Sequence, residues 1–243
     1  DITDPSFSTA AIDEIKTYNS NKETSGDKIV TSTVDNLGYG YIGINAKTVN
    51  VGGVADSDAS KNLRKGLATI LSVYRDLTVD SYYGERASVI NYPISNTSWA
   101  APRPSDPDYK VAFSTGVDGK AIYTSDMNAD AKYEAAKKAA IEYFKAAGYT
   151  FDEAGGKLTA APDGASLEYE VIIPGDGQGD HPSFMLLTEA KEAFAAIGIN
   201  LIINDPADSN ELWNALDAES QELWCAAWGS TIDPDMYQVY HSN

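Results

Sequence analysis

Few residues in this chain are equipped for reactive chemistry. His181 and His241 are its only histidines and Cys225 its only cysteine. No serine sits in a Gly-x-Ser-x-Gly turn, so nucleophilic catalysis lacks its usual parts. His181 follows Asp180 near the end of a predicted strand, where an imidazole could exchange protons, and the same placement suits a surface loop ahead of Pro182. Asp233 and Asp235 flank Pro234. That trio reads either as the acid and base of a hydrolase, which their separation in space decides, or as a helix start with Asp233 as cap and Pro234 as first helical residue. Asp176-Gly177-Gln178-Gly179-Asp180 places oxygen ligands at alternating positions, as calcium loops do, but lacks the closing glutamate of an EF-hand. Its glycines suit a phosphate, which its two acids would repel. A single cysteine allows neither an internal disulfide nor a Cys-rich zinc site. Neither a metal nor an organic cofactor is expected.

Aromatic side chains carry the stronger signal. Trp213, Trp224 and Trp228 fall in the last strand and helix units, followed by Tyr237 and Tyr240. Indole and phenol faces at strand ends can clamp an extended organic ligand while their N–H and O–H groups orient it. The same rings could equally pack a core.

These residues must be positioned by the elements around them. Residues 1–27 read as a polar lead-in with a short helix from Ala10 to Tyr18, and residues 28–243 as a single α/β lobe. Lys28–Val34 and Tyr39–Asn45 are β-prone and joined by Asp35-Asn36-Leu37-Gly38, which predicts a hairpin. Leu63, Leu67, Ile70, Leu71 and Tyr74 recur at helical spacing behind a cap at Ser57 or Asp58. Four prolines between Arg86 and Asp108 predict an ordered non-helical loop carrying Tyr92 and Trp99. A second helix spans Asn128–Ala147 and stops at Gly148. From Leu167 onward the pattern is strand Leu167–Ile173, helix Ser183–Ala196, strand Ile199–Asn204, helix Ser209–Leu216 and strand Glu222–Ala227. Such alternation implies right-handed crossovers and a parallel sheet, with ligands at the carboxyl ends of its strands.

The composition removes whole classes of partner. The 243 residues hold 18 Lys+Arg against 36 Asp+Glu, a net charge of −18. Nucleic acid needs bulk phosphate neutralisation that this surface lacks, and anionic membranes are disfavoured for the same reason. No apolar run reaches the roughly 18 residues that span a bilayer. The N-terminus lacks the basic start and apolar core of a signal peptide.

Read in order, several pieces resemble the family 5 extracellular solute-binding proteins, the oligopeptide and dipeptide receptors of ABC importers. Tyr41-Ile42-Gly43-Ile44-Asn45 is similar to a family strand ending in Asn. Asn62-Leu63-Arg64-Lys65-Gly66-Leu67 with Tyr74-Arg75-Asp76 resembles the helix that follows it. Tyr133 to Gly148-Tyr149 looks like an "A-G-Y" helix end, and Phe194-Ala195-Ala196-Ile197-Gly198-Ile199 like an "I-G-I" junction. Trp224-Cys225-Ala226-Ala227-Trp228 with Asp233-Pro234 resembles the family's "W-x-a-d … D-P" strand end.

The resemblance implies an α/β fold whose mixed sheet has a parallel βαβαβ C-terminal part flanked by helices. That would be the C-terminal lobe of a two-lobed, periplasmic-binding-protein-like (type II) receptor, with the N-terminal lobe and export signal lying outside this chain. It implies a non-catalytic role: two lobes closing on a peptide and delivery of that peptide to ABC permease subunits. The setting would be extracytoplasmic, with lipid anchoring through a segment absent here. Carried onto this sequence, Leu223, Trp224 and Cys225 would offer main-chain groups to the ligand as in β-augmentation. Ala227 falls where the family places the acid that holds the ligand ammonium. Asp233 could substitute for it, or the ligand could be an oligosaccharide, and Trp228 suits either. A secreted hydrolase using Asp233 or His181 is the reading from a different class.

Overall fold

The computed structural model describes residues 9–175 and 177–241, and the chain divides into two compact units. Unit 2, the larger, is Gly40–Arg75 with Lys110–Ala227; unit 1 gathers Asp1–Tyr39, Asp76–Tyr109 and Trp228–Asn243. In chain order the regular elements are α1 (Thr9–Tyr18), β1 (Tyr39–Ile44), α2 (Asp58–Val73), α3 (Arg75–Thr78), α4 (Ala129–Ala146), β2 (Thr150–Phe151) and β3 (Leu158–Ala160). They continue with β4 (Glu168–Ile172), α5 (Phe184–Ala196), β5 (Asn200–Asn204), α6 (Asn210–Asp217), β6 (Leu223–Trp228) and α7 (Tyr237–Tyr240).

Unit 2 has a core of its own. The apolar stripe of α2 buries Leu63, Leu67, Ile70 and Leu71, and Ser57 caps the helix by accepting the Ser60 N–H at 3.1 Å. Arg64, on the other face, donates to the carbonyls of Val49 (3.0 Å) and Ala55 (2.8 Å), which fixes the loop that enters α2. Along α2 lies α4, capped by the Asn128 side chain on the Ala131 N–H. At their crossing a Cβ on Gly66 would stand 3.0 Å from the Phe144 ring, so the small residue is what lets that buried ring in. Both α4 and α5 end on a glycine with positive φ, Gly148 (95°) and Gly198 (93°). After each glycine the next amide reaches back to the helix, Tyr149 to Phe144 O and Ile199 to Phe194 O, which satisfies the last carbonyls and turns the chain.

The sheet runs in the order β1-β6-β4-β5, with β4 parallel to both β5 and β6. Its fourth strand runs the other way: Gly40 faces the Ala226 carbonyl, while the Asn45 N–H bonds Glu222 O at 2.8 Å. The predicted mixed α/β sheet with a parallel βαβαβ part is therefore the fold. Alternation sorts its two faces. Tyr169, Val171, Leu201, Leu223 and Cys225 are buried on one face. Glu168, Glu170, Glu222, Ile202 and Trp224 share the other, by register. α5 packs on β5, and the Asn204 side chain donates to Glu211 of α6 at 3.1 Å. Because β4→β5 and β5→β6 step in opposite directions, right-handed crossovers carry α5 and α6 over opposite faces.

On the acidic face Glu222 is half-buried and accepts the Glu170 N–H at 2.7 Å. Burial pushes its carboxyl up, the Glu170 amide opposes that, and the charges of Glu170 and Glu168 add to the rise. A carboxyl raised by folding stabilises the native state below its unfolded pKa and loses that contribution as pH climbs through the folded value. Urea midpoints of the wild type are thus expected to fall relative to Glu222→Gln as pH rises from about 4 upward. Parallel pH profiles for the two proteins would refute this.

Unit 1 is irregular by comparison. Thr9 on α1 donates to Tyr82 O in a π-type turn, Val79–Tyr83, followed by a 3-10 turn, Gly84–Arg86. The proline-bearing loop is non-helical, as expected. Two expectations need correction. No hairpin joins Lys28–Val34 to β1, because the Asn19 side chain accepts the Lys28 and Ile29 amides and donates to Ile29 O, while β1 pairs with β6. Nor does Asp233-Pro234 start a helix. α7 begins at Tyr237, whose N–H is accepted by Asp235 Oδ1 at 2.9 Å, and the Asp233 carbonyl is instead taken by Thr231 Oγ1.

Candidate functional site

In unit 2 the crossovers reverse direction between β4 and β6, and ligands of open α/β sheets collect at the carboxyl ends of such strands. Val171 pairs with Leu223 and Ile172 with Trp224, where the ladder with β4 ends. β1 covers the opposite side of β6. Leu223 and Trp224 are therefore interior to the sheet, while Cys225, Ala226 and Ala227 extend past β4.

Trp224 is positioned by what it lies against. Its indole packs edge-on to Tyr41 at 6.2 Å and 85°, with Nε1 3.4 Å from the Tyr41 hydroxyl. A Cβ on Gly43 would come within 2.4 Å of its Cζ2. Gly43→Ala is expected to destabilise by about 1–3 kcal/mol, the usual range for overpacking, and to lose most of that cost in a Trp224→Leu background. A double-mutant cycle by urea unfolding checks it.

The Cys225 thiol is buried and pushed up to about 12 by burial, with a hydrogen bond to the Ser183 side chain opposing the rise. At neutral pH it is an unreactive packing group. Ala227 is exposed and carries no charge for a ligand ammonium. In unit 1, Trp228 and Asp233 are both exposed. Also in unit 1, the Trp99 indole N–H donates to the Ile232 carbonyl at 3.0 Å, which ties the proline-rich loop to the segment just before Asp233.

After β4 the glycine-rich turn is held by a residue that sequence reasoning passed over. Asp205, just beyond β5, accepts the Gly177 N–H (3.0 Å) and the Gly179 N–H (2.6 Å) on its two carboxylate oxygens. A Cβ on Gly175 would stand 2.5 Å from Asp205 Oδ1. The turn's amides do cradle an anion, and the anion is the protein's own carboxylate. The signal was an acid at a predicted strand end opposite a glycine-rich turn. His181 accepts the Ser183 N–H on Nδ1 at 3.1 Å. Burial pushes its imidazole down, with Asp205 and Asp180 opposing, so the ring is neutral at pH 7. Asp176, part of the calcium-loop reading, lies outside the described residues. Among the described residues no cluster of three His, Cys, Asp or Glu could hold a metal ion, and no helix is long and apolar enough to cross a membrane.

A doubly wound sheet of this kind is part of the periplasmic-binding-protein-like fold. The profile described as "Bacterial extracellular solute-binding proteins, family 5 Middle" matches residues 6–243, and the chain belongs to that family. Its fold is similar to the oligopeptide-binding protein AppA of Bacillus subtilis, solved with a nonapeptide (TM-score 0.53, 21% identity, covering 85% of this chain and 34% of that one). It is similar also to NikA of Brucella suis, solved with Fe(III)-EDTA (TM-score 0.51, 13% identity, 82% and 32%). The murein tripeptide binding protein MppA of Escherichia coli is a third (TM-score 0.50, 14% identity, 82% and 30%). The chain spans about a third of the length of these structures. No curated protein sequence matches it.

Proposed function

We infer that this chain is the ligand-binding lobe of an extracytoplasmic, lipid-anchored receptor that captures oligopeptides and hands them to the permease subunits of an ABC importer, without catalysis. One observation carries the reading. The β4 side of Cys225–Ala227 lies beyond the last β4–β6 pair at the point where the crossovers reverse, and an extended peptide meets such an edge through its own amides and carbonyls. Leu223 and Trp224 support that edge from inside the sheet. Ala227 leaves room for the ligand backbone and supplies no counter-charge. Trp228 and Asp233 belong to unit 1, and their part in binding rests on the family resemblance alone. Relatives of this fold that bind peptides support the same reading.

Calorimetric titration of the complete receptor with peptides of two to nine residues tests it. Dissociation constants in about the micromolar range or tighter are expected. Methylating the ligand amides that pair with β6 should weaken binding about 10-fold, the loss of one or two hydrogen bonds. Binding of oligosaccharides with no response to any peptide would overturn the peptide assignment and leave the fold assignment intact.

A further inference from the structure

The chain leaves β4 beside β6 and comes back beside β6, yet the turn in between lies elsewhere. Ile173 donates its N–H to Asn204 O on the β5 side at 2.9 Å, so Ile172 and residue 174 are the positions whose main-chain groups face β6. By the register Ile172↔Trp224, the next rung would run from the N–H of residue 174 to the Cys225 carbonyl. Pro174 has no N–H. Among the described residues no main-chain bond joins Pro174 or Gly175 to Ala226 or Ala227. At the far end of the turn the Ser183 side chain bonds the Cys225 thiol. Both ends are thus tethered next to β6, and the middle is drawn the other way. Asp205, just beyond β5, takes the Gly177 and Gly179 amides on its two carboxylate oxygens, and a Cβ on Gly177 would stand 3.4 Å from Ala207 Cα. Gly177 and Gly179 hold positive φ (71° and 69°), the form that aims both amides into one concavity.

We propose that Asp205 is a positioning residue of the ligand site: by holding the amides of the glycine-rich turn on the β5 side, its carboxylate keeps them from capping β6 and leaves the Cys225 carbonyl and the Ala227 N–H open to an extended ligand. This rests on reading that edge as the place where a peptide pairs. The competition is intramolecular. Amides without a partner settle on an acceptor within reach, and a chain departing at Pro174 has the Cys225 carbonyl about one strand spacing, roughly 4.8 Å, away. A ligand would then have to displace the protein's own turn. Asp205 prevents this because a carboxylate holds an amide about twice as strongly as a neutral carbonyl does, and it holds two. The turn is therefore ordered before a ligand arrives, which lowers the cost of binding.

Hydrogen exchange without ligand, read at single amides of the 243-residue chain, tests the positioning apart from peptide binding. In Asp205→Ala the Ala227 amide is expected to exchange about 10-fold or more slowly than in wild type, because the released turn covers it. Ala226, whose amide alternates to the β1 side, should not change. Asp205→Asn keeps one acceptor oxygen and should fall between the two. If Asp205→Ala does not fold, Gly175→Ala, whose methyl would meet Asp205 Oδ1 at 2.5 Å, should act in the same direction. Tetra-alanine titrated into the complete receptor should bind Asp205→Ala about 10-fold more weakly than wild type. A substitution that merely loosened the fold would speed exchange at Ala227 or leave the tetra-alanine Kd unchanged, and either result would overturn the proposal. So would equal Ala227 exchange in all the variants. Slowed exchange at Ala227, together with no binding of any peptide by the wild-type receptor, would uphold the positioning of the turn and overturn the peptide assignment instead.

Discussion

Gly198→Ala is expected to cost more than about 3 kcal/mol in urea unfolding, among the largest single-methyl effects in this protein. Two penalties add. At φ 93° a residue with a Cβ is strained by about 1–3 kcal/mol. The new methyl would also stand 2.5 Å from the Leu158 carbonyl oxygen and 3.0 Å from its nitrogen. Those are backbone atoms, which cannot rotate aside as a side chain would. Leu158 is itself fixed, since its N–H bonds Ile197 O at 2.8 Å. Gly148 supplies the control. Its φ is 95°, but its nearest neighbour would be Pro162 Cβ at an ordinary 3.6 Å. Gly148→Ala should therefore show the backbone strain alone, and equal losses at the two sites would show that the close approach of β3 contributes nothing.

Phe144→Ala is expected to destabilise by about 3–5 kcal/mol, the range for emptying a fully buried aromatic site. The ring lies over Gly66 and edge-on to Tyr149 at 5.3 Å, so it joins α2, α4 and the turn leading to β2. Gly66→Ala should be unfavourable in the wild type, where the methyl meets the ring. In the Phe144→Ala background it should recover about 1 kcal/mol, because alanine is the better helix former and the ring is gone. If the two substitutions prove additive, the glycine is not there to admit the ring.

Most of unit 2 was legible in the sequence because its signals are local and agree with one another. The α2 stripe, the Gly148 stop and the strand–helix alternation from Leu167 onward each fixed an element to within a residue or two. What failed was pairing. Lys28–Val34 has the composition of a strand and a turn after it, yet strand partners are chosen by distant segments, and Asn19 and β6 outbid the hairpin. Asp233-Pro234 read as a helix start for the same reason: local chemistry allowed it, and Asp235 provides the cap one step later. At the candidate site the sequence singled out the end of β6 but not which of its main-chain groups are spent inside the sheet. It also missed Asp205, whose role appears only when two crossover turns meet.

The unequal lengths of β4 and β6 have a metrical consequence. β6 outruns its neighbour by the three residues Cys225–Ala227 before unit 2 ends. At about 3.3 Å per residue that is a ruler of roughly 10 Å, one strand spacing wide. An extended chain laid along it is gauged over about three residues regardless of its total length. On the proposed reading, main-chain pairing along this edge sets a minimum ligand length of about three extended residues and no maximum.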